Sequence, residues 1–160
     1  MLAEAHLSAI IQSSDDAIVS KDLNGTVLSW NPAASRIFGF TEAEMVGQSI
    51  RKLIPPARQG EEDDILARIA RGERVKSFDT RRCRKDGTDI AVSITVSPVY
   101  DKAGRIIGAS KIARDVTREH GIREALSRSE TRFRLMADTI SQLAWIADPE
   151  HAAAYAKAEA

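Results

Sequence analysis

The clearest hydrophobic pattern lies in the second half of the chain, where apolar residues alternate with small or polar ones. The apolar positions of this run are Ile90, Val92, Ile94 and Val96. Because successive side chains of a strand point to opposite faces of a sheet, the alternation predicts a strand with one buried face. Apolar runs on either side predict two further strands, over residues 75–84 and about 105–116, with turns at 85–87 and 101–104 between them.

The first half of the chain begins with two short predicted strands. Residues 17–19 and 27–30 are mainly apolar segments on either side of Asp22-Leu23-Asn24-Gly25. An Asn-Gly pair between two such segments is typical of a tight hairpin turn, because both residues tolerate a positive φ. The pattern therefore predicts a pair of antiparallel strands.

Helix-start and helix-end signals fill the interval between the two groups of strands. Asn31-Pro32 suits the start of a helix, and Gly39 suits its end. Thr41-Glu42-Ala43-Glu44 has the spacing of a capping box, which predicts a second short helix. Apolar residues at helical spacing predict a longer helix at about 59–71 and an N-terminal amphipathic helix at 2–12.

The order of these elements predicts an α+β fold. Two strands, several short helices and then three strands follow one another along the chain. Strands joined by short turns pair antiparallel, and helices between them cover one face of the sheet. We expect a five-stranded antiparallel sheet with short helices on one face, followed by a C-terminal helix.

A different periodicity begins after Thr117. The apolar residues of this segment are Ile122, Leu126, Phe133, Met136 and Ile140. They fit the core positions of a heptad repeat, with Ser129 at the missing position and mostly charged residues around them. The narrow apolar seam predicts that a linker helix at 118–138 forms a parallel coiled coil in a homodimer, assisted by residues 2–12. The alternative is a surface helix that lies on the sheet of its own chain.

Composition narrows the classes of function. The chain has 160 residues, with 23 Lys+Arg and 23 Asp+Glu, so no excess of positive charge points to nucleic acid. A single cysteine excludes an internal disulfide and a multi-cysteine metal site. No apolar run is long enough to span a bilayer, and the N-terminus lacks the pattern of a signal peptide. We therefore expect a cytoplasmic chain with no direct membrane insertion.

Sequence patterns of catalytic and metal sites are missing. No nucleophile–base pair, metal cluster or phosphate loop is apparent, so we predict no catalytic residue and no metal site. His120 is followed by Gly121, unlike a typical phospho-acceptor motif of a kinase, in which an acidic residue follows the histidine. Cys83 lies among arginines on a predicted strand. It is either a small structural residue or, if the arginines lower its pKa, a reactive thiol.

Six short motifs, in order over about residues 8–118, resemble those of the PAS sensor domain family. They are Asp22-Leu23-Asn24-Gly25, Trp30-Asn31-Pro32-Ala33-Ala34, the segment from Phe38 to Gly47, Arg84-Lys85-Asp86-Gly87, Ser97-Pro98-Val99 and Arg114-Asp115-Val116-Thr117. The resemblance implies a five-stranded antiparallel sheet with a pocket between the sheet and its helices. It also implies a sensory module of a bacterial signalling protein, upstream of a histidine kinase, a cyclic-di-nucleotide enzyme or a transcription regulator. The chain itself is then not an enzyme.

Ten residues are predicted to line the implied pocket, which is a candidate site for a small-molecule ligand of unknown identity. They are Ile37, Ile50, Leu53, Glu62, Leu66, Ile69, Phe78, Ile94, Val96 and Lys111. Three positions depart from the cofactor-binding members of the family. Ile50 stands where light-sensing LOV-type domains carry a cysteine, Glu62 where haem-binding domains carry a histidine, and Lys76 where redox flavin domains carry a tryptophan. We predict no cofactor; the alternative is a flavin- or haem-binding sensor of redox state, gas or light.

The resemblance also sets the predicted domain boundaries and a predicted joint. The boundaries are 1–14 for the N-terminal helix, 15–117 for the PAS domain, 118–138 for the linker helix and 139–160 for the truncated start of a second PAS domain with an alanine-rich tail. The last assignment rests on similarity between the segment after Leu7 and the segment after Phe133. Asp115 and Thr117 are predicted to relay the signal, because they connect a strand directly to a helix start whose N–H groups need caps.

Lys111 interrupts the last predicted strand. Alternation puts it on the face opposite Ile112, and the resemblance turns that face toward the pocket. A buried ammonium needs a partner, and the predicted helix at one side of the pocket supplies the acidic residues 61–64. We predict that Lys111 reaches Glu62 or Glu61. The alternative is that its ammonium extends into solvent at the sheet edge.

Overall fold

The computed structural model describes residues 1–147 of the chain, in which five strands form one antiparallel sheet. The strands are β1 (Ala17–Asp22), β2 (Val27–Trp30), β3 (Val75–Cys83), β4 (Asp89–Tyr100) and β5 (Ile106–Asp115). Their order across the sheet is β2-β1-β5-β4-β3, so the last strand lies at the centre. The predicted α+β fold with a five-stranded antiparallel sheet is confirmed.

Local capping signals explain where the short helices begin and end. The helices are α1 (Leu2–Ser13), α2 (Pro32–Phe38), α3 (Glu42–Met45), α4 (Gln59–Ala70) and α5 (Thr117–Ala147), with 3₁₀ turns at Ile50–Leu53 and Pro56–Arg58. The Asn31 side chain accepts the N–H of Ala34 at the start of α2 (3.0 Å). Thr41 and Glu44 form the predicted capping box of α3. Gly39 ends α2 with a φ of 80°, a left-handed conformation that favours glycine.

The core lies between one face of the sheet and the helices α2, α3 and α4. It includes Val19, Val27, Trp30, Phe38, Met45, Ile50, Leu53, Ile69, Ile94 and Val96. Strand β5 turns Lys111 and Ala113 to this inner face, whereas Ile112 is 43% exposed on the outer face. At Gly108, an added Cβ would fall against the carbonyl oxygen of Lys21. The close approach of β1 and β5 therefore requires glycine at this position.

Helix α5 runs without interruption from Thr117 to Ala147. Residues 1–117 form one compact unit, and a second unit begins at residue 118. The helix continues past residue 138, the predicted end of the linker, because no glycine or proline stops it there. The assignment of 139–160 to a second domain stays a prediction, and its residues 148–160 lie outside the described residues.

Candidate functional site

The predicted pocket residues lie together in the interior of the sheet-containing unit. Buried among them are Ile50, Leu53, Glu62, Ile69, Ile94, Val96 and Lys111. Half-buried are Ile37, Leu66 and Phe78. All the apolar members except Leu66 belong to the hydrophobic core or pack against it. Their role in ligand binding stays a prediction.

The interior contains a buried ion pair that the sequence analysis missed. Lys21 on β1 donates a hydrogen bond to Oε1 of Glu62 on α4, and both side chains are almost completely buried. Burial lowers the pKa of Lys21, whereas the Glu62 carboxylate acts to raise it. The signal for this contact was the alternation in β1, which puts Lys21 on the same buried face as Ala17 and Val19.

A second set of charged contacts lies where α4 meets β3. Glu61 accepts hydrogen bonds from Arg82 Nη1 (3.0 Å) and Thr80 Oγ1 (2.8 Å), and Arg58 Nη1 adds a third (2.9 Å). Burial acts to raise the pKa of Glu61, but these hydrogen bonds outweigh it and lower the pKa below its ordinary value. The Arg82 side chain is 1% exposed, and its Nε is buried without a hydrogen-bond acceptor in the described chain.

Lys111 lies on the inner face of β5, as predicted, but its predicted ion pair with Glu62 or Glu61 is wrong. Its Nζ lies 5.9 Å from the centroid of the Phe38 ring, within the range of a cation–π contact. Among residues 1–147 it has no ion-pair or hydrogen-bond partner. The alternative, an ammonium in solvent at the sheet edge, is also wrong, because Lys111 is only 3% exposed.

The two carboxylates that Lys111 was expected to reach are held by other cations. Glu62 is paired with Lys21, and Glu61 with Arg82. Burial lowers the pKa of Lys111 well below its ordinary value, and the charges of Arg82 and Lys21 lower it further against the opposing effect of the two glutamates. We call these five residues the interior charge cluster. It contains three basic and two acidic side chains, and Lys111 is the basic one without an ion pair.

The joint between β5 and α5 is held by side-chain hydrogen bonds. Asp115 Oδ1 accepts the N–H of Thr117 (2.9 Å), and Thr117 Oγ1 accepts the N–H of Ala91 on β4 (3.1 Å). Arg84 Nη2 donates to Asp115 Oδ2 (3.2 Å), and Arg84 Nε donates to the carbonyl oxygen of Ile37 (2.9 Å). The joint therefore connects the central strands and the end of α2 with the first residue of α5. Its role as a signal relay stays a prediction.

The five apolar residues of the predicted dimer seam are exposed on α5. Ile122, Leu126, Phe133, Met136 and Ile140 are between 57% and 73% exposed. Leu135 and Leu143 on the same helix are also about as exposed, at 63% and 60%. An apolar seam of this kind is stable in water when a partner surface covers it. The homodimer stays a prediction.

Cys83 has the environment of a structural residue. It is half-buried at the end of β3, and its Sγ donates a weak hydrogen bond to Asp89 Oδ1 (3.5 Å). Burial raises the pKa of the thiol, and the Asp89 carboxylate raises it further, whereas Arg82 opposes the change. The alternative of a reactive thiol with a lowered pKa is wrong, because the nearest charge is a carboxylate.

Four of the five residues in the interior charge cluster form two ion pairs between single side chains. Within the part of the chain that the structure describes, no three His, Cys, Asp or Glu residues are grouped so that they could hold a metal ion. Each of the two glutamates in the cluster is already bound by a cation.

No helix within residues 1–147 combines the length and the apolar character needed to cross a membrane.

Comparison with known proteins identifies similar sensory proteins. The model of the PAS fold family matches residues 5–116. The sensor histidine kinase TmoS of Ectopseudomonas mendocina is 28% identical over 127 residues, and the signal transduction histidine-protein kinase AtoS of Escherichia coli (strain K12) is 27% identical over 121 residues. These matches cover 79% and 76% of this chain but only 13% and 19% of the two kinases. The chain thus spans less than a fifth of either relative.

A solved structure gives the same fold. The crystal structure of the PAS domain of a protein from Colwellia psychrerythraea matches with a TM-score of 0.66 at 24% sequence identity. The match covers 72% of this chain and 98% of that domain. At this level of identity, the likeness concerns the fold, and the side chains of the interior have to be interpreted from this chain alone.

Proposed function

Because this chain belongs to the PAS fold family, it is a signal-sensing module, and we propose that it works as a parallel homodimer that relays a change in its interior through α5 to an effector. The similarity to TmoS and AtoS supports a histidine kinase of a two-component system as that effector. We further propose that the module acts in the cytoplasm, without binding nucleic acid. The observation that carries the proposal is the exposed apolar seam on a helix that continues directly from the central strand.

A single strand supports the coupling of the interior to the helix. Lys111 of the interior charge cluster and Asp115 of the joint are both on β5, four residues and therefore about 13 Å apart. Thr117 then begins α5. A shift of β5 relative to β1 or β4 would change the hydrogen bonds of Asp115 and Thr117 at the helix start. We propose that these two residues pass the change on.

The dimer is tested by sedimentation equilibrium of the whole chain at about 50 micromolar, a concentration suited to modest affinities. We expect a dimer for the parent and a monomer for Leu126→Asp/Phe133→Asp, because two charges would be buried in the seam. The matched control is Ser127→Asp/Arg134→Asp, which adds the same side chains one residue further along and should stay dimeric. A monomeric parent would contradict the proposal.

The relay role of the joint needs the full-length protein. Asp115→Ala removes the cap of α5 and the ion pair with Arg84, so we expect the chain to lose about 1 kcal/mol of stability. The signal-dependent activity of the effector should change more than this loss explains. Arg84→Ala removes the same ion pair but keeps the cap, and therefore separates the two effects. A lower melting temperature with unchanged output would leave Asp115 as a cap alone.

We propose no resident haem or flavin in the interior. Glu62, at the position of the haem ligand in other members, is bound by Lys21, and Ile50, at the position of the LOV cysteine, is completely buried in the core. We therefore expect the absorption spectrum of the purified protein to contain no band beyond the aromatic region. A stoichiometric visible band would instead support the cofactor-binding alternative.

A further inference from the structure

A groove of about 190 Å³ lies between α4 and β3. On the helix it is lined by Glu61, Asp64, Ile65 and Arg68, which follow one another at spacings of three, one and three residues and therefore share one face of α4. Ile65 is buried, Glu61 and Arg68 are half-buried, and Asp64 is exposed. This face of the helix therefore changes from acidic near its start to basic near its end.

A β-bulge brings Lys76 to the same groove. Val75 pairs with Val96 on β4, and Phe78, three residues later, pairs with Ile94, which is only two residues before Val96. The extra residue lets Val75 and Phe78 both line the groove, although residues three apart in a regular strand point to opposite faces. Lys76 lies between them and lines the groove too. Bulges redirect side chains in this way beside active sites.

The charges of the groove are separated along its length. Glu61 accepts a hydrogen bond from Thr80 Oγ1 (2.8 Å), which places the start of α4 beside the second half of β3. Arg68, seven residues further along the helix, lines the groove together with Lys76 near the start of β3. Glu61 and Arg68 are therefore about 10 Å apart along the helix axis. The groove has an acidic end, with Glu61 and Asp64, and a basic end, with Arg68 and Lys76.

One charged group at each end is accessible to a ligand. Glu61 is already paired with two arginines, so it forms part of the wall of the groove. Arg68 is paired with Glu73 at 3.3 Å, and both of these side chains are partly exposed. Asp64 and Lys76 are exposed and form no ion pair among residues 1–147. A ligand can therefore place a cation beside Asp64 and an anion beside Lys76 without breaking an ion pair of the groove.

We propose that this groove binds an ω-amino carboxylate, a small linear zwitterion, with its ammonium group at Asp64, its carboxylate at Lys76 and its aliphatic chain on Ile65 and Phe78. This inference rests on the proposed sensing role of the chain and names the chemical class of the ligand. Six bonds of extended chain, the separation of the two charged groups in ε-aminocaproate, span about 7 Å. Such a molecule reaches toward both ends of the groove, whereas the two charges of an α-amino acid are too close together to do so.

Binding should be weak and sensitive to salt, because both charged contacts are exposed. An exposed ion pair typically changes an equilibrium by a factor of about five at most. The covered apolar surface of Ile65 and Phe78 adds to the affinity. We therefore expect a dissociation constant on the order of 1 mM, which should increase as the salt concentration rises.

The test is titration of the isotope-labelled whole chain with ε-aminocaproate at low salt, up to about 10 mM, followed by the amide signals in two-dimensional NMR. We expect shifts that saturate with one dissociation constant and are confined to α4, the start of β3 and the paired residues of β4. Caproate, hexylammonium and glycine are the ligand controls. Caproate lacks the cation, hexylammonium lacks the anion, and glycine lacks the separation between them. Each should bind about fivefold more weakly or not at all.

Two variants assign each end of the ligand to its side chain. Asp64→Asn should weaken the binding of ε-aminocaproate about fivefold and remove its preference over caproate, whereas Lys76→Met should remove its preference over hexylammonium. The matched controls are Asp63→Asn and Lys102→Met, whose side chains are exposed and do not line the groove. Both controls should bind ε-aminocaproate like the parent. Because all of these side chains are exposed, the variants should fold, which a thermal melt verifies.

Three results would overturn the inference: no saturable shift with ε-aminocaproate, shifts centred away from the groove, or equal affinity for any of the three ligand controls. All three use the parent protein alone and so do not depend on the folding of a variant. The state of the proposed dimer is measured separately by sedimentation. A monomer that binds ε-aminocaproate in the groove contradicts the proposed function only, whereas a dimer without saturable binding contradicts this inference only.

Discussion

The sheet with its helices α2, α3 and α4, and the helix α5, use their apolar residues in opposite ways. In the first region, large apolar side chains such as Phe38 and Ile69 are completely buried. Among the side chains described on α5 after Thr117, none is buried, and Phe133 is 73% exposed. The core between the sheet and its helices therefore covers its own apolar side chains, whereas α5, like α1 at the N-terminus, presents apolar side chains that a partner has to cover. A region that senses can be stable alone, and a region that transmits depends on what it contacts.

The two regions also differ in the burial of the ion pairs compared next. The ion pair between Lys21 and Glu62 is buried in the interior, whereas the pair between Glu124 and Arg128 on α5 has a separation of 3.6 Å and is mostly exposed. Removing one partner of a buried pair leaves an uncompensated charge, but an exposed pair is solvated in either case. The same type of substitution should therefore have very different effects in the two regions.

The largest difference is expected when the same residue is truncated in both regions. Phe38→Ala empties a fully buried site and should lower the free energy of unfolding by about 4 kcal/mol. Phe133→Ala should change the unfolding of the sheet by less than about 0.5 kcal/mol, since its side chain is exposed. Urea unfolding at low micromolar concentration, followed by circular dichroism of the sheet, measures both. Similar losses of unfolding free energy in the two variants would mean that the stability of the sheet depends on α5.

A charge substitution in the interior is expected to have the next largest effect. Glu62→Gln leaves Lys21 buried without a counter-charge and should cost about 3 kcal/mol. The control is the adjacent Asp63→Asn, which breaks the ion pair of Asp63 with Arg51 (2.5 Å). Because the Asp63 side chain is 72% exposed, this substitution should cost at most about 1 kcal/mol. Urea unfolding again provides the values. Lys21→Met/Glu62→Leu should recover most of the loss; if it does not, the hydrogen-bond geometry matters more than the unpaired charge.

A methyl group at the contact between β1 and β5 is expected to cost somewhat less. Gly108→Ala places a Cβ against the backbone oxygen of Lys21, so the two strands have to separate slightly, at a cost of about 2 kcal/mol. Gly60→Ala on α4 is the control, because an added Cβ meets open space there and alanine favours a helix. Thermal melts should give a lower midpoint than that of the parent for Gly108→Ala but not for Gly60→Ala. Equal midpoints would show that the sheet adjusts without cost.

The smallest effect is expected from an exposed ion pair, as a function of pH. A hydrogen bond from Lys85, assisted by the N–H of Thr41, lowers the pKa of Glu44 to about 2. Because this pKa is below the ordinary value of 4.5, the stabilisation is present above pH 4.5 and is lost as the pH falls toward 2. The difference in melting temperature between the parent and Lys85→Met should therefore shrink over this range. The control is Lys102→Met, on the turn between β4 and β5. Its melting temperature should differ little from that of the parent at any pH in this range.

The fold was predictable because its signals are local. The alternation in β4, the capping box at Thr41 and Glu44, and the glycine at position 39 each determine the backbone within a few residues. Alternation in β5 put Lys111 on the face opposite Ile112, and the resemblance to the PAS family turned that face inward. Helix α5 continues past residue 138, where the resemblance set the end of the linker, because a boundary between domains does not determine where a helix ends.

The partners of the interior charges could not be predicted in the same way. Three long basic side chains, from β1, β3 and β5, are buried in the interior, where Lys21 pairs with Glu62 and Arg82 with Glu61, and Lys111 lies near the Phe38 ring. Which of them pair depends on the distance of each strand from α4, and that distance depends on the packing of the whole core. Arg82 was overlooked because the neighbouring Arg81 and Arg84 made the segment look like a solvated, charged strand.

The continuity of α5 also limits the lengths that a linker at this place can have. At a rise of about 1.5 Å per residue, its 31 residues span about 46 Å, and each residue turns the direction of the next by about 100°. Insertion of a single residue would rotate the segment that follows by about 100° around the helix axis, whereas insertion of seven residues would restore almost the same orientation. Fusions that join this sensor to a foreign output domain should therefore respond with a period of seven in linker length, and the sign of the response should depend on the phase within that period.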